Sequence, residues 1–163
     1  MGYDYLDGRT IEKALAKAPR QYLTGHLERA QPYLEHIDDD IEIGITDYTE
    51  FTANEPHVHL VATDHMYIIR GCSKILVLTI ETLVTKLLRD PFAMVVPTKT
   101  EEVILNEGDL FVLRPGTPHI IKGAPGTRVY FVKSPAGNDK HIITVPDSIR
   151  AWMSSWDAQC EGI

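Results

Sequence analysis

The feature that most constrains this chain is a succession of short apolar segments, divided by turn residues, that runs from Ile41 to Val145. Ile41, Ile43 and Ile45 alternate with Glu42, Gly44 and Thr46, the two-residue period of a strand with one buried face. Further strands are expected at Val58–Val61, Met66–Ile69, Lys74–Ile80, Phe92–Val96, Glu102–Leu105, Leu110–Leu113, His119–Lys122, Arg128–Lys133 and Ile142–Val145. Gly71, Asp90-Pro91, Asn106-Glu107-Gly108, Pro115-Gly116, Pro125-Gly126 and Gly137-Asn138-Asp139 separate most of them. So many short strands at this spacing predict an all-β sandwich or barrel. Leu78–Arg89 fits a strand or a short helix equally well.

The flanks read differently. Thr10 is expected to cap a short helix over Ile11–Lys17 that Pro19 ends, and Tyr22 to Glu35 is expected to be irregular. Pro146-Asp147-Ser148 begins a second helix, with Ile149, Trp152, Met153 and Trp156 on its apolar face. The 163 residues therefore divide into an N-terminal arm (1–40), a barrel (41–145) and a C-terminal helix (146–163) of one domain. A chain of this length buries roughly 68–70% of its unfolded surface, enough for a core without staples.

Charge and composition exclude some functions. The net charge of −7 argues against a nucleic-acid groove. No stretch has the apolar length to cross a membrane, and Met1 to Arg9 carries Asp4 and Asp7 where a signal peptide would be apolar. Cys72 and Cys160 are far apart and form no CxxC pair, so neither a disulfide framework nor a thiolate metal site is expected, and a cytoplasmic location is.

Seven histidines occur, at 26, 36, 57, 59, 65, 119 and 141. Residues i and i+2 of a strand share a face, so His57 and His59 set two imidazoles side by side, at a separation that one metal ion can bridge. Asp64 follows a turn and can return a carboxylate to the same ion. His65, its neighbour, faces the other way unless a bulge intervenes. A His-x-His pair alone is equally the pattern of two core or surface histidines.

What surrounds that pair resembles the cupin family. Its first motif holds two histidines one residue apart, an acidic residue, then six residues and a glycine; here His57, His59, Asp64 and Gly71 stand in that order. Its second is a glycine, a strand, a Pro-x-Gly turn and a third histidine, which resembles Gly108-Asp109-Leu110-Phe111-Val112-Leu113-Arg114-Pro115-Gly116-Thr117-Pro118-His119 throughout. Asp64 is one methylene shorter than the usual glutamate, so three outcomes stay open for it: a closer strand, binding through water, or no binding. Phe51, Arg114 and Gly123 also depart from the family pattern, and the stretch between Gly71 and Gly108 is long enough for an added hairpin or flap.

The resemblance implies a cupin-type β-barrel (a double-stranded β-helix or jelly roll) with short N- and C-terminal helices. It also implies a divalent metal ion, of the Fe, Zn, Ni or Mn group, at His57, His59, Asp64 and His119. It implies small-molecule substrates handled by oxygenase, isomerase or lyase chemistry, or a non-catalytic barrel that binds or senses a small ligand, and pairing into a homodimer. Met66, Ile68 and Ile121 share the inward parity of the site, and Tyr48 and Tyr130 are candidate aromatic walls. Arg70, Arg114 and Lys122 are the nearest cations in sequence and would suit an anionic substrate if they faced inward.

Overall fold

The structure is a computed structural model that describes residues 7–24, 40–81, 83, 90 and 94–156. His26, His36, Cys160 and most of the ambiguous segment Leu78–Arg89 lie outside the described residues. Helix α1 is Gly8–Leu15, and it starts earlier than expected because Asp7, not Thr10, is the N-cap. The Asp7 carboxylate accepts the backbone N–H groups of Arg9 and Thr10 and the Thr10 hydroxyl.

The strands are β1 Arg20–Thr24, β2 Glu42–Asp47, β3 Thr52–Ala53, β4 His57–His59, β5 Thr63–Arg70, β6 Cys72–Thr79, β7 Lys99–Asn106, β8 Leu110–Leu113, β9 His119–Gly123, β10 Arg128–Ser134 and β11 Lys140–Ile142. Helix α2 is Asp147–Ser154. Two antiparallel sheets result. One has the order β1-β2-β10-β5-β8; the other runs β11-β4-β9-β6-β7, with β3 beside β9.

Three expectations need correction. Strand β1, Arg20–Thr24, runs into the start of the stretch expected to be irregular, Tyr22 to Glu35, recruited by pairing with β2. Of the strand expected at Phe92–Val96 the described residues 94–96 form none; Met94 makes an isolated parallel bridge to Thr144. Cys72 is disulfide-bonded. A disulfide persists under oxidising conditions, so the cysteines give no support to a cytoplasmic location. Within the long stretch after Gly71, β6 and β7 form a hairpin paired from Cys72 with Asn106 to Thr79 with Lys99, and residues 82, 84–89 and 91–93 between them lie outside the described residues.

The core has two compartments. Tyr48, Met66, Ile68, Ile75, Leu105, Leu113, Ile121 and Val129 fill the space between the sheets. Val58, Leu76, Leu78, Leu83, Val95, Ile120, Ile143, Val145 and Ile149 form a second cluster outside it, with Trp152 and Met153 of α2 packed against it. Strand β9 lies between the two and is buried along its whole length. His119 and Ile121 point inward, Ile120 and Lys122 outward.

The interior is tightly fitted. A Cβ on Gly123 would fall 2.3 Å from the Tyr48 ring, so only glycine fits where the family often has another residue. The β2 alternation is also inverted from its apolar appearance. Glu42, Gly44 and Thr46 turn inward and are buried, since Gly44 pairs with Phe131 and Thr46 with Val129. Ile45 faces outward, opposite Gln21 of β1, and Gln21 donates to the Ala14 and Ala18 carbonyls at the end of α1.

Among the described residues no helix is long and apolar enough to cross a membrane.

Candidate metal centre

Short-range chain geometry places each histidine. Strand β4 holds His57 and His59 on its inner side, with Val58 on the other. His57 sits directly opposite His119, the first residue of β9. The turn between β8 and β9 sets that register: Gly116 adopts φ +79, which suits glycine, and its N–H donates to the His59 carbonyl at 2.6 Å. Ring centroids of His57 and His119 are 4.3 Å apart, those of His57 and His59 5.2 Å, and those of His59 and His119 6.1 Å. All three residues are buried.

Every ring is oriented by the same device. The Nδ1 atom of His57 meets the Glu55 carbonyl at 2.7 Å, that of His119 the Thr117 carbonyl at 2.9 Å, and that of His59 the Asp139 carbonyl at 3.1 Å. A carbonyl only accepts, so each Nδ1 carries the proton, and in His57 and His119, which burial holds neutral, Nε2 keeps its lone pair. The Nε2 of His119 is buried with no partner among the described residues. Burial first, then the neighbouring His119, pushes the His57 pKa down to about 2. Burial pushes that of His119 down to about 4. Both imidazoles are therefore neutral, the form that binds a metal.

Asp64 opens the inner side of β5, and its carboxylate lies 3.2 Å from the His59 Nε2. One donor atom each from His57, Asp64 and His119 falls within 4.8 Å of the others. Imidazole nitrogens and one carboxylate suit a divalent transition metal. His65 faces the opposite side of the sheet, where its Nδ1 is 3.4 Å from the Val132 carbonyl. His141 lies on β11 at the surface, 3.5 Å from the Asp139 carboxylate.

The cations suggested for the pocket do not face it. Arg70 and Arg114 are exposed, and Lys122 points outward under α2. Tyr130 is on the outer side of β10, whereas Met66, Ile68 and Ile121 are inside as expected. Among the described residues Lys133, at the end of β10, is the cation that faces inward. Its ammonium is 3.1 Å from the Glu42 carboxylate and donates to the Gly137 carbonyl at 2.9 Å. Lys133 pairs in register with Glu42 on one side and Asp64 on the other, so the three form an inward charged row that ends at the histidines. Strand parity carried this signal, because Val129, Phe131 and Lys133 share one side.

Asp139 was also missed. Its carboxylate accepts the N–H groups of Leu60, Val61 and Ala62, at 3.2, 2.8 and 2.8 Å, and so holds the turn between β4 and β5. Burial pushes its pKa up, but those three donors outweigh burial and the net shift is downward. One residue thereby fixes the path from His59 to Asp64 and orients the His59 ring. In sequence it reads only as part of a Gly-Asn-Asp turn.

A family model described as Cupin matches residues 40–155. No curated protein matches the sequence. Among solved structures, KdgF from Halomonas sp. is 18% identical with a TM-score of 0.47, over 74% of this chain and 80% of that one. A mutant of Bacillus subtilis oxalate decarboxylase is 15% identical with a TM-score of 0.49, over 71% of this chain and 28% of that one. An 11S globulin from Wrightia tinctoria is 14% identical with a TM-score of 0.47, over 62% of this chain and 22% of that one.

Proposed function

The chain belongs to the cupin family, and on that premise we propose that it is a single-domain, metal-dependent enzyme acting on a small molecule. His57, His59, His119 and Asp64 would hold one divalent ion. When bound, the ion would supply a Lewis acid with open positions for substrate or dioxygen, the basis of oxygenase, isomerase or lyase chemistry. The observation that carries this reading is the shared orientation of the imidazoles: three Nδ1 atoms given to carbonyls, and a buried His119 Nε2 without a partner among the described residues. Buried polar atoms are nearly always satisfied, so an orphaned lone pair facing two further imidazoles marks a binding position.

The protein's own residues do the rest. The backbone carbonyls of Glu55, Thr117 and Asp139 fix the tautomers and raise ligand basicity. Asp64 adds a carboxylate to the three imidazoles, 3.2 Å from the His59 Nε2. Pairing into a homodimer belongs to the same reading, supported by an exposed apolar strip of Tyr67, Ile69, Leu110 and Val112 on the outer side of β5 and β8.

Elemental analysis of protein purified after supplementation with iron, zinc, nickel and manganese tests the proposal. About one ion per chain is expected; a ratio near zero with all four would overturn it. Iron accompanied by dioxygen uptake would select oxygenase chemistry, and another metal without uptake would select isomerase or lyase chemistry.

A further inference from the structure

The row Glu42–Lys133–Asp64 is a costly thing to bury. Glu42 is 3% exposed and Lys133 5% exposed. A buried ion pair contributes little net stability, because desolvation offsets most of the attraction. The pair is also incomplete. Glu42 Oε1 faces the Lys133 ammonium, but Glu42 Oε2 is buried with no hydrogen-bond partner among the described residues. An unsatisfied carboxylate oxygen costs more than a neutral group left in the same state. It lies on the inner side of β2, two strands from Asp64, and the pair shares its electrostatic surroundings with Asp64 and His59.

The missing partner has a definable chemistry. It must donate to Glu42 Oε2. A second cation is disfavoured, since Lys133 already neutralises Glu42. Lys133 shows two acceptors among the described residues, Glu42 and the Gly137 carbonyl, and an ammonium has three donors. A hydroxyl group both donates and accepts at one atom, so it answers the free carboxylate oxygen and the ammonium together. We propose that Glu42 and Lys133 form a subsite that recognises a hydroxyl group of the small molecule bound at the metal centre, so that this protein selects hydroxylated ligands over their deoxy counterparts. The inference rests on the metal-centred reading above and extends it to a ligand class.

The test uses the full chain loaded with Mn(II). Calorimetry would measure the affinity for Mn(II), then for matched probes: glycolate, 3-hydroxypropanoate and 4-hydroxybutanoate against acetate, propanoate and butanoate. The carboxylate serves the metal and the chain length brings the hydroxyl to different depths. At least one hydroxylated probe is expected to bind tenfold or more tightly than its parent. In the double variant E42M/K133M, which replaces the pair by apolar groups of similar length, the preference should fall below twofold while Mn(II) affinity stays within threefold. E42Q, which keeps the shape of the site, should reduce the preference severalfold, and guards against a folding failure of the double variant. Failure of the unchanged chain to bind any of Mn(II), Fe(II), Zn(II) and Ni(II) would overturn both readings, and where one of the others binds instead the probes are measured on that form. Mn(II) binding with no hydroxyl preference, as when water alone occupies the position, would overturn the subsite and leave the metal centre standing. A preference that survives in both variants would do the same.

Discussion

Strand β9 buries polar groups on both of its sides, and the two sides treat them in opposite ways. Inside, His119 keeps one nitrogen bonded to a carbonyl and leaves the other without a partner among the described residues. Outside, three residues away, Lys122 donates to the carbonyls of Trp152 and Ser155 at 2.8 and 2.7 Å, with its ammonium 3.7 Å from the centre of the Trp152 ring. It closes the last turn of α2 and holds the helix on the sheet. Beside it in register is Lys74, 3.5 Å from Glu102, and Glu102 also accepts from the Trp152 indole N–H. A buried polar group whose partners all come from the protein serves the fold. One with an atom left over, pointing at other ligands, serves something that binds. Burial alone does not separate the two cases; the partner count does.

The contrast can be broken most sharply by exchanging the two sides. His119→Ala should reduce metal affinity a thousandfold or more while the far-ultraviolet dichroism remains that of a β-protein. Equilibrium dialysis with the ion that the elemental analysis identifies checks it. Lys122→Ala should do the reverse. It strands two carbonyls and loses a cation–π contact, which costs about 3 kcal/mol in urea denaturation, with metal stoichiometry unchanged. Loss of metal in Lys122→Ala at full stability would erase the distinction.

Acid should sharpen the comparison less steeply. In the metal-free protein, His57 and His119 are held neutral well below the ordinary imidazole value of 6.5. Between that value and about pH 4 the unfolded chain binds protons that the folded chain refuses. Stability due to these residues is therefore complete above pH 6.5 and falls as the pH drops toward 4. Denaturation midpoints measured across that window should decline, and bound metal should shift the onset of the decline to lower pH. The smallest effect belongs to His65→Ala, on the opposite side of β5. Metal affinity should change less than twofold and stability by about 0.5 kcal/mol or less. A larger loss of metal there would place the register of β5 in error.

Much of this molecule was legible in the residues. The turn-punctuated strands predicted an all-β barrel, and the Gly108-to-His119 segment predicted where the third imidazole enters. The contrary orientations of Asp64 and His65 followed from strand parity alone. Other features were hidden for identifiable reasons. Glu42 seemed to be on the polar, outer side of β2, because an alternating pattern says that two sides differ but not which one meets the barrel. Arg70, Arg114 and Lys122 were nearer in sequence to the motifs than Lys133, yet sheet pairing, not sequence distance, brings a cation beside Asp64. Asp139 holds the turn at 60–62 from about eighty residues away, a contact for which a local pattern has no signal.

By itself the sequence determined the strand periodicity, the corners where glycine and proline turn the chain, and the set of side chains able to bind a metal. These are local properties, set by backbone geometry and side-chain chemistry within a few residues. Only the tertiary structure decided which face of each strand looks inward, which buried ammonium is consumed by a helix end, and which carboxylate oxygen is left unanswered. Those outcomes depend on register between strands distant in the chain, and a shift of one residue in that register would turn every inward side chain outward.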